Sequence, residues 1–421
     1  MNIKRPLIIV FLGLALLIVV LVKMTGYDFL TFSQNNSPNR KGLKNLVVKN
    51  ERFSKKGLNF YTDKRTPYLL LLSRYDNDLE QNIVEVIDLV DGKKLHRWSF
   101  PDLSVFHFNS QNKFHTHPNE LDLESSKIIH PFLNQDGSLV FNFYENSPLF
   151  SVDSCGKLLW KNLSFAFHHS LEKDSQGNYW SAGFLDKTHP IYGQGFIDDR
   201  IIKVSSAGRT LFSKSVLEIL IENNLQNKVY TYDKFVNDPI HLNDIQPVLK
   251  DGKYWREGDL FLSLSHLNLI LLYRPSTNKL IWWKQEQMMH QHDIDIIGTD
   301  RISVFNNNRI TTQTGNTVIG TNEVLVFDFT KDSFTSPYKA LFQKENLKTI
   351  NQGLSSIGEK GELFVEETRA GRLIFFNAEG KKEWEFINKD SKGRTFVLNW
   401  SRIIPYSMKE SLIANFSMCR N

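Results

Sequence analysis

Three segments of the chain place histidine beside other polar side chains at similar positions of a repeated pattern. They are Phe167-His168-His169-Ser170, His241-Leu242-Asn243-Asp244 and Gln291-His292-Asp293. Each is followed by an alternating apolar stretch that is typical of a strand. A neutral imidazole is a nucleophile, a base and a metal ligand at neutral pH. If the repeats are arranged in a ring, these histidines converge on one site near its centre.

Two kinds of chemistry fit such a cluster. Imidazoles and amides can hold the oxygens of a sulfate- or phosphate-type group while one imidazole attacks as a nucleophile. Three imidazoles from separate strands can also bind zinc or copper at ~2.0–2.1 Å. We favour anion chemistry and assign no metal, although a metal site stays an open alternative.

One turn signature recurs along the chain and predicts the fold. Its clearest copies are Gly156-Lys157-Leu158-Leu159-Trp160 and Gly380-Lys381-Lys382-Glu383-Trp384, and looser copies begin at Gly92, Gly208, Asn278 and Lys331. Glycine or asparagine supplies the positive φ of a hairpin turn, and the aromatic residue packs between sheets. Six copies at a spacing of roughly 58 residues predict an all-β, six-bladed β-propeller over residues 46–421. A β-sandwich is the alternative, but it does not explain six copies of one turn.

The residues just before each innermost strand crowd the axis of a propeller. At this phase the sequence has His130, His169, His292 and Gln352, and His241 lies slightly further back. The last blade, closed by the C-terminal segment, contributes Asn399-Trp400-Ser401-Arg402.

The N-terminus predicts a membrane anchor. Residues 7–22 carry no charge, Lys4 and Arg5 precede them, and Lys23 follows. With snorkelling of Lys23 the apolar stretch extends over residues 7–27 and approaches the ~20 residues that span a bilayer. No small-x-small cleavage site follows Val22, so an uncleaved signal anchor is favoured over a cleaved signal peptide.

This gives a short cytoplasmic tail at 1–6, the anchor at 7–27 and a flexible tether at 28–45. We expect a single-pass membrane protein whose soluble domain lies in the periplasm or outside the cell.

Charge and motifs exclude several classes of function. The net charge is +5 over 421 residues without a run of like charges, so no nucleic-acid partner is predicted. Neither a P-loop nor a GxGxxG segment is present, which argues against a nucleotide-dependent reaction. Cys155 and Cys419 are the only cysteines, and whether they form a disulfide is left open.

The order of motifs from about residue 167 to 308 resembles the bacterial arylsulfate sulfotransferases. The resemblance lies in His241-x-Asn243, the strand 262–270, Asn278-Lys279-Leu280-Ile281-Trp282, Gln291-His292-Asp293 and the segment 304–308. Members of this family are periplasmic six-bladed propellers. They move a sulfuryl group from an aryl sulfate to a phenol through a sulfohistidine, without a metal or nucleotide cofactor.

The resemblance implies a role for each histidine segment. His292 takes the place of the sulfated histidine, and His241 and Asn243 take the place of a sulfuryl-binding pair. His169, or its neighbour His168, takes the place of a further active-site histidine. The implied function is that of a sulfotransferase with an aryl sulfate and a phenol as small-molecule partners and with no cofactor.

One departure from the family affects the expected activity. The family has an arginine where this chain has Ser265, and loss of such a charge costs on the order of 10²–10³ in rate. Ser265 and Arg402 are therefore the further substrate-binding candidates, with Arg402 as a replacement cation. The alternative function is a non-catalytic extracytoplasmic propeller that binds a small anion, a carbohydrate or a protein partner, and the sequence identifies no protein partner.

Overall fold

The computed structural model of the protein describes residues 42–49, 51–100, 102–106, 122–144, 147–185, 188–230 and 234–420. The predicted tail 1–6, the anchor 7–27 and most of the tether 28–45 lie outside these residues. Within the described part of the chain, no helix is both long enough and apolar enough to span a bilayer.

Strands dominate the described residues. The first thirteen are β1 (Gly57–Phe60), β2 (Tyr68–Asp76), β3 (Gln81–Asp88), β4 (Lys94–Ser99), β5 (Ile128–Leu133), β6 (Leu139–Phe143), β7 (Ser147–Val152), β8 (Leu158–Lys173), β9 (Tyr179–Phe184), β10 (Arg200–Val204), β11 (Thr210–Ser215), β12 (Leu242–Pro247) and β13 (Leu260–Leu264). The others are β14 (Leu269–Arg274), β15 (Lys279–Lys284), β16 (His292–Ile297), β17 (Arg301–Asn306), β18 (Arg309–Thr312), β19 (Gly315–Val318), β20 (Glu323–Asp328), β21 (Ser333–Thr335), β22 (Leu354–Ile357), β23 (Leu363–Glu367), β24 (Arg372–Phe376), β25 (Lys382–Ile387) and β26 (Arg402–Pro405). Four short helices accompany them: α1 (Leu43–Leu46), α2 (Val216–Glu222), α3 (Lys339–Glu345) and α4 (Lys409–Ser417).

The strands pair antiparallel into successive meanders. Three sheets have four strands, in the orders β26-β2-β3-β4, β12-β13-β14-β15 and β16-β17-β20-β21. A five-stranded sheet has the order β1-β25-β24-β23-β22, and strands β5 to β11 form one seven-stranded sheet. The hairpin β18–β19 forms a two-stranded sheet of its own. Because β26 pairs with β2, the C-terminal segment closes the ring of sheets as the sequence predicted.

Burial within a sheet follows the order of its strands. In the sheet β12–β15, strands β13 and β14 are apolar and almost wholly buried, whereas alternate residues of β15 are exposed. Apolar clusters fill the spaces between neighbouring sheets. Leu260 and Leu262 pack toward β9–β11 and α2, while Phe261 packs toward β16–β21. A central strand buried on both faces and an exposed outer strand are typical of a propeller blade.

The predicted turns use glycine where the backbone requires it. Gly208, between β10 and β11, has φ +80°, and its N–H donates to the Ser205 carbonyl at 2.9 Å. A β-carbon at this position would lie 2.6 Å from the indole ring of Trp160. The glycine therefore serves both the turn and the packing of the aromatic residue that ends the previous copy of the signature.

The structure supports an all-β, propeller-like architecture but corrects the expected number of separate blades. Four of its sheets have the four or five strands of a blade, whereas six separate blades were predicted. The physical reason for the difference is β8, which runs for 16 residues and pairs with both β7 and β9. The strands before and after it are thereby joined into one sheet.

Both ends of the described chain are tied to the sheets. Leu43 and Leu46 of α1 pack with Tyr75 and Phe396, so the packed structure begins within the predicted tether 28–45. At the other end, Phe416 of α4 is buried, and Cys419 forms a disulfide with Cys155 in the β7–β8 turn. The pairing that the sequence left open is therefore present.

Candidate active site

Left-handed backbone recurs where the innermost strands begin. His169 has φ +57° at a bulge in β8, and His241 has φ +54° directly before β12. Gln352 and Trp400 have φ values of +58° and +64° shortly before β22 and β26. Such backbone costs about 1–3 kcal/mol in a residue other than glycine and is concentrated at functional sites. Bulges also re-aim side chains, which explains how distant segments meet here.

These four residues surround a cavity of about 150 Å³. This volume accommodates roughly a benzene-sized ring. The remaining polar side chains of its wall are Asn142, Tyr144, His168, Asp199 and Asp238. Apolar walls with a few polar groups are typical of sites that bind small molecules.

His168 connects Asp199 to His169 on one side of the cavity. Its Nε2 lies 2.9 Å from Asp199 Oδ1, and its Nδ1 lies 2.6 Å from His169 Nδ1. Asp199 also accepts the Leu242 N–H at 2.8 Å, which holds the carboxylate as an acceptor. His168 therefore donates from Nε2 and accepts at Nδ1, and His169 keeps the lone pair on its Nε2.

His241 forms a second carboxylate–imidazole pair on another side. Its Nδ1 lies 2.5 Å from Asp238 Oδ2, and its ring stacks on His266 with centroids 4.3 Å apart. Burial disfavours the charged form of His241, but the hydrogen bond and charge of Asp238 raise its pKa above the ordinary value. Asp238 therefore favours the charged form of His241 relative to a free imidazole.

The hydrogen bonds around His292 determine its tautomer. The Asn307 side-chain amide donates to the Thr349 carbonyl at 3.2 Å and to the Gln352 carbonyl at 2.7 Å, so its Oδ1 is left to accept. His292 Nδ1 lies 2.7 Å from that oxygen and must carry the proton. The Gln352 N–H donates to His292 Nε2 at 3.2 Å, in agreement with a lone pair on that atom.

Burial lowers the pKa of several other histidines of the cluster. Burial, followed by the charge of His241, lowers the pKa of His292 to about 3. Burial and the neighbouring His241 also hold the pKa of His169 well below its ordinary value. Burial and the guanidinium of Arg309 lower the pKa of His290 to about 4. The cluster thus combines one imidazole of raised pKa with several of lowered pKa.

His292 lies behind the cavity wall rather than in it. Its ring centroid is 6.1 Å from that of Trp400, and its Nε2 is covered by the Gln352 N–H. Trp400 and Gln352 themselves line the cavity. A ligand reaches His292 only if the Gln352 backbone gives up its hydrogen bond.

Asn243 and Ser265 lie outside the cavity and bond to the backbone of residues that form the site. Asn243 is fully buried, and its amide donates to the Gln291 carbonyl at 3.0 Å, which fixes the residue before His292. Ser265 is buried in a single 3₁₀ turn, and its N–H donates to the His241 carbonyl at 3.0 Å. Both residues were expected to bind substrate, but neither lines the cavity.

Arg402 lies in a different place from the one expected. Its Nη1 is 2.8 Å from Glu172 Oε1, and its Nε donates to the Pro131 carbonyl at 3.0 Å. Together with His130 it lines a separate cavity of about 290 Å³. Because Glu172 already neutralises the guanidinium, Arg402 is not a replacement cation for the histidine cavity.

Sequence reasoning did not identify the two aspartates of the site. Asp238 stands three residues before His241, so this short spacing was an available signal. Asp199 is separated from His168 by 31 positions and had no local signal. Trp400 and Gln352 were placed at the axis by their repeat phase but were given no role.

Three groups of the site have the chemistry of metal ligands. Ligand atoms of Asp238, His241 and His266 all lie within 4.8 Å of one another. Two imidazoles and a carboxylate suit zinc and related ions. In the structure these atoms bond to one another instead: His266 Nδ1 donates to the Asp238 carbonyl at 2.7 Å, and His241 Nδ1 bonds to the carboxylate.

Several solved structures of low sequence identity align with most of the chain. They include a protein of unknown function from Bacteroides caccae (10% identity, 81% of this chain and 99% of that chain, TM-score 0.47) and virginiamycin B lyase from Staphylococcus aureus (13%, 83% and 99%, TM-score 0.41). A chain of a nidogen–laminin complex is a third (9%, 81% and 99%, TM-score 0.44). A search of curated proteins finds no significant match.

A family profile gives the more specific result. The profile of the arylsulfotransferase (ASST) family matches residues 130–389, which is more than half of the chain. The matched region contains both carboxylate–histidine pairs, His292 and Asn307. The chain belongs to the arylsulfotransferase (ASST) family.

Proposed function

We propose that this protein transfers a sulfuryl group from an aryl sulfate to a phenol through a sulfohistidine at His292. The observation that carries the proposal is that two imidazoles of the cluster differ in protonation. His292 keeps a lone pair on Nε2 because Asn307 holds its Nδ1–H, and His241 holds a proton because of Asp238. A nucleophile and an acid are thus present in the same cluster.

In the first half-reaction, His292 Nε2 forms a bond to sulfur while the bond between sulfur and the aryl oxygen breaks. The departing phenolate takes the proton from His241, which becomes neutral. Asn307 Oδ1 stabilises the positive charge that the sulfated ring acquires, since it accepts the Nδ1–H. The Gln352 N–H must first release Nε2.

In the second half-reaction, neutral His241 removes the proton of the acceptor phenol. The phenol oxygen attacks sulfur, the bond between nitrogen and sulfur breaks, and His292 regains its lone pair. The net reaction exchanges one phenol for another on the sulfuryl group, so no redox partner is needed.

Release of 4-nitrophenol from 4-nitrophenyl sulfate, with phenol as acceptor, tests the activity. We expect the full chain to turn over and a peptide containing His292 to gain the mass of one SO₃ group without acceptor. His292→Ala should abolish both signals. His189→Gln, in a turn outside the cavity, is the matched control and should retain them. If the mass gain falls instead on the peptide with His169, His292 is not the nucleophile.

A metal-dependent function is the competing hypothesis, favoured by the proximity of Asp238, His241 and His266. Metal analysis of the purified protein and turnover after chelation distinguish the two. Turnover that survives chelation supports the sulfohistidine, whereas activity that is lost and then restored by one added metal rejects it.

The proposed location is outside the cytoplasm, with residues 7–27 as the anchor. The Cys155–Cys419 disulfide supports it, because such bonds persist in oxidising compartments. In intact cells, alkylation of free thiols should leave both cysteines unmodified until a reductant is added. Extraction of the chain from membranes by carbonate alone contradicts the anchor.

We also propose that the molecule functions as a ring of six blades. The seven strands β5–β11 are then two blades that share β8, divided at the bulge near His169. This count supports the proposed site, because each histidine segment then stands at the axial end of its own blade.

A further inference from the structure

A groove of about 510 Å³ on the protein surface, here called the basic groove, is lined by positively charged side chains. Its walls come mainly from residues 44–49, from residues 346–350 and from the turn between β23 and β24. Of the described residues that line it, none is acidic. A concave surface with charge of one sign focuses the electrostatic field and attracts counter-ions. The basic residues of the groove are Lys44, Lys49, Arg52, Lys348 and Arg369.

Most of these cations lack an acidic partner. Arg52 is the exception, since its Nη2 lies 2.6 Å from Glu367 Oε1. Among the described residues, no carboxylate forms an ion pair with the other four basic side chains of the groove. Lysine and arginine side chains are charged at neutral pH. The basic groove therefore holds four positive charges that no described acidic residue neutralises.

The chain before the basic groove supplies almost no negative charge. Ahead of Glu51 the sequence contains a single acidic residue, Asp28. Arg40 and Lys41 add two more basic residues just before the groove in the sequence. The N-terminal segment of this chain is therefore a poor counter-ion. An anion that occupies the groove is a separate molecule.

Apolar side chains accompany the basic ones. Val47, Val48, Ile350 and Val397 line the same groove. Val397 is buried, and the other three are half-buried. Inorganic anions gain nothing from apolar contacts, whereas an amphiphile with an anionic headgroup uses both kinds of side chain. The lining therefore favours a lipid over a small inorganic anion.

The basic groove lies beside the histidine cavity. The segments 350–352 and 397–400 each begin at the groove and end at the cavity. The N–H of Arg369 donates to Thr349 Oγ1 at 3.1 Å, which ties the turn between β23 and β24 to the first of these segments. The groove and the cavity therefore lie side by side on one face of the molecule.

We propose that the basic groove binds the headgroup of an anionic phospholipid at the membrane surface. The choice of a lipid rests on the proposed anchor at residues 7–27, whereas the positive charge belongs to described side chains. Lys44 follows the end of that anchor by 17 positions, and a flexible chain of that length spans about 20–25 Å. The groove therefore stays close to the bilayer. Its occupation turns the face with the histidine cavity toward the membrane.

Lysine modification of the full chain in vesicles tests the proposal. The vesicles consist of phosphatidylcholine alone or with added phosphatidylglycerol, and acetylation of each lysine is followed by mass spectrometry. With phosphatidylglycerol, Lys49 and Lys348 should react about five-fold more slowly, the factor that one basic residue gains at an anionic surface. About 1 M salt, which shortens the Debye length to about 3 Å, should restore their reactivity.

Two lysines at the other end of the sheets serve as internal controls. Lys157 lies in the turn between β7 and β8, and Lys279 follows the turn between β14 and β15. Because neighbouring strands alternate in direction, these turns are at the end of the sheets opposite to the start of the innermost strands. Both lysines should react alike in the two kinds of vesicle.

Variants and a sedimentation measurement separate the possible failures. Lys49→Gln with Arg369→Gln should abolish the protection of Lys348, whereas Lys157→Gln with Lys279→Gln, the matched control, should keep it. If only the anchor is wrong, the chain sediments with vesicles that contain phosphatidylglycerol and not with the others. Equal reactivity of Lys348 in both vesicles overturns the inference. Protection of Lys348 by inorganic phosphate without vesicles assigns the groove to small anions and overturns it as well.

Discussion

At the scale of single residues, two kinds of hydrogen-bond partner give the imidazoles of the site different protonation. A carboxylate, Asp238, stabilises the charged form of His241, whereas an amide, Asn307, accepts from His292 without favouring a second proton. Neighbouring histidine side chains thereby acquire different acid and base properties.

The raised pKa of His241 predicts a pH dependence. Its protonated form is present below that pKa, so turnover of an unactivated aryl sulfate should fall as pH rises through it, above the ordinary value of 6.5. Asp238→Asn removes the stabilising charge, burial then dominates, and the falling limb should move down by about one pH unit or more. The measurement is kcat/KM against pH with phenyl sulfate. The activated 4-nitrophenyl ester is the control and should depend less on the acid. An unmoved limb would assign the acid to another group.

Removal of the Asn307 amide should slow the reaction by more than any loss of stability explains. Asn307→Leu leaves His292 Nδ1–H with only the longer contact to the His290 carbonyl at 3.2 Å, and we expect sulfation of His292 to slow by about 10²-fold. Asn322→Leu is the matched control, because Asn322 also donates to two buried carbonyls, those of Asn307 and Thr349, without touching His292. Equal rates of sulfation in the two variants, at matched thermal stability, would contradict the assigned role.

The repeat pattern predicted only part of the site. His169 stands at the phase of the innermost strands and His241 slightly further back, and both line the cavity, whereas His130 and His292 stand at that phase and do not line it. The partners of the site depend on contacts between sheets: Asp199 reaches His168 across 31 positions, and Glu172 neutralises Arg402. No local pattern specifies such distant pairs, so the sequence did not predict that Arg402 lies at a different cavity beside Glu172.

At the scale of elements, the turns hold the sheets in register, and the structure distinguishes turns that look alike in sequence. Gly177 and Gly208 both have φ near +80° in turns of the same seven-stranded sheet. A β-carbon at Gly177 meets nothing nearer than 3.8 Å, whereas one at Gly208 meets the Trp160 ring.

Alanine at these two turns should therefore have unequal effects. Gly177→Ala carries only the penalty of left-handed backbone, about 1–2 kcal/mol. Gly208→Ala must also displace Trp160 and should lower the free energy of unfolding by about 2–4 kcal/mol. Urea denaturation of both variants measures the difference. Equal losses would show that the Trp160 ring moves aside freely.

At the scale of the whole molecule, three connections join the ends of the described chain to the sheets. Strand β1 pairs with β25, strand β26 pairs with β2, and the disulfide joins Cys155 to Cys419 across 264 positions. A cross-link over so long a loop restricts the unfolded chain strongly.

Removal of the disulfide should lower the free energy of unfolding by about 3–5 kcal/mol. The change is Cys155→Ser with Cys419→Ser, and the measurement is urea denaturation. The parent protein treated with reductant is the control and should match the variant. Equal stability of the parent with and without reductant would mean that the bond contributes little.

The position of Trp400 near the C-terminus determines when the wall of the cavity can form during synthesis. The backbone N–H of Trp400 donates to Glu366, and its ring lies about 6 Å from those of His169 and His292. Strand β26 begins two residues later. Synthesis proceeds from the N-terminus, so the ribosome delivers every histidine of the cluster well before it delivers this tryptophan. A growing chain therefore carries the reactive side chains without the wall that shapes their pocket. The cavity is therefore complete only after the last strand has docked onto the first sheet.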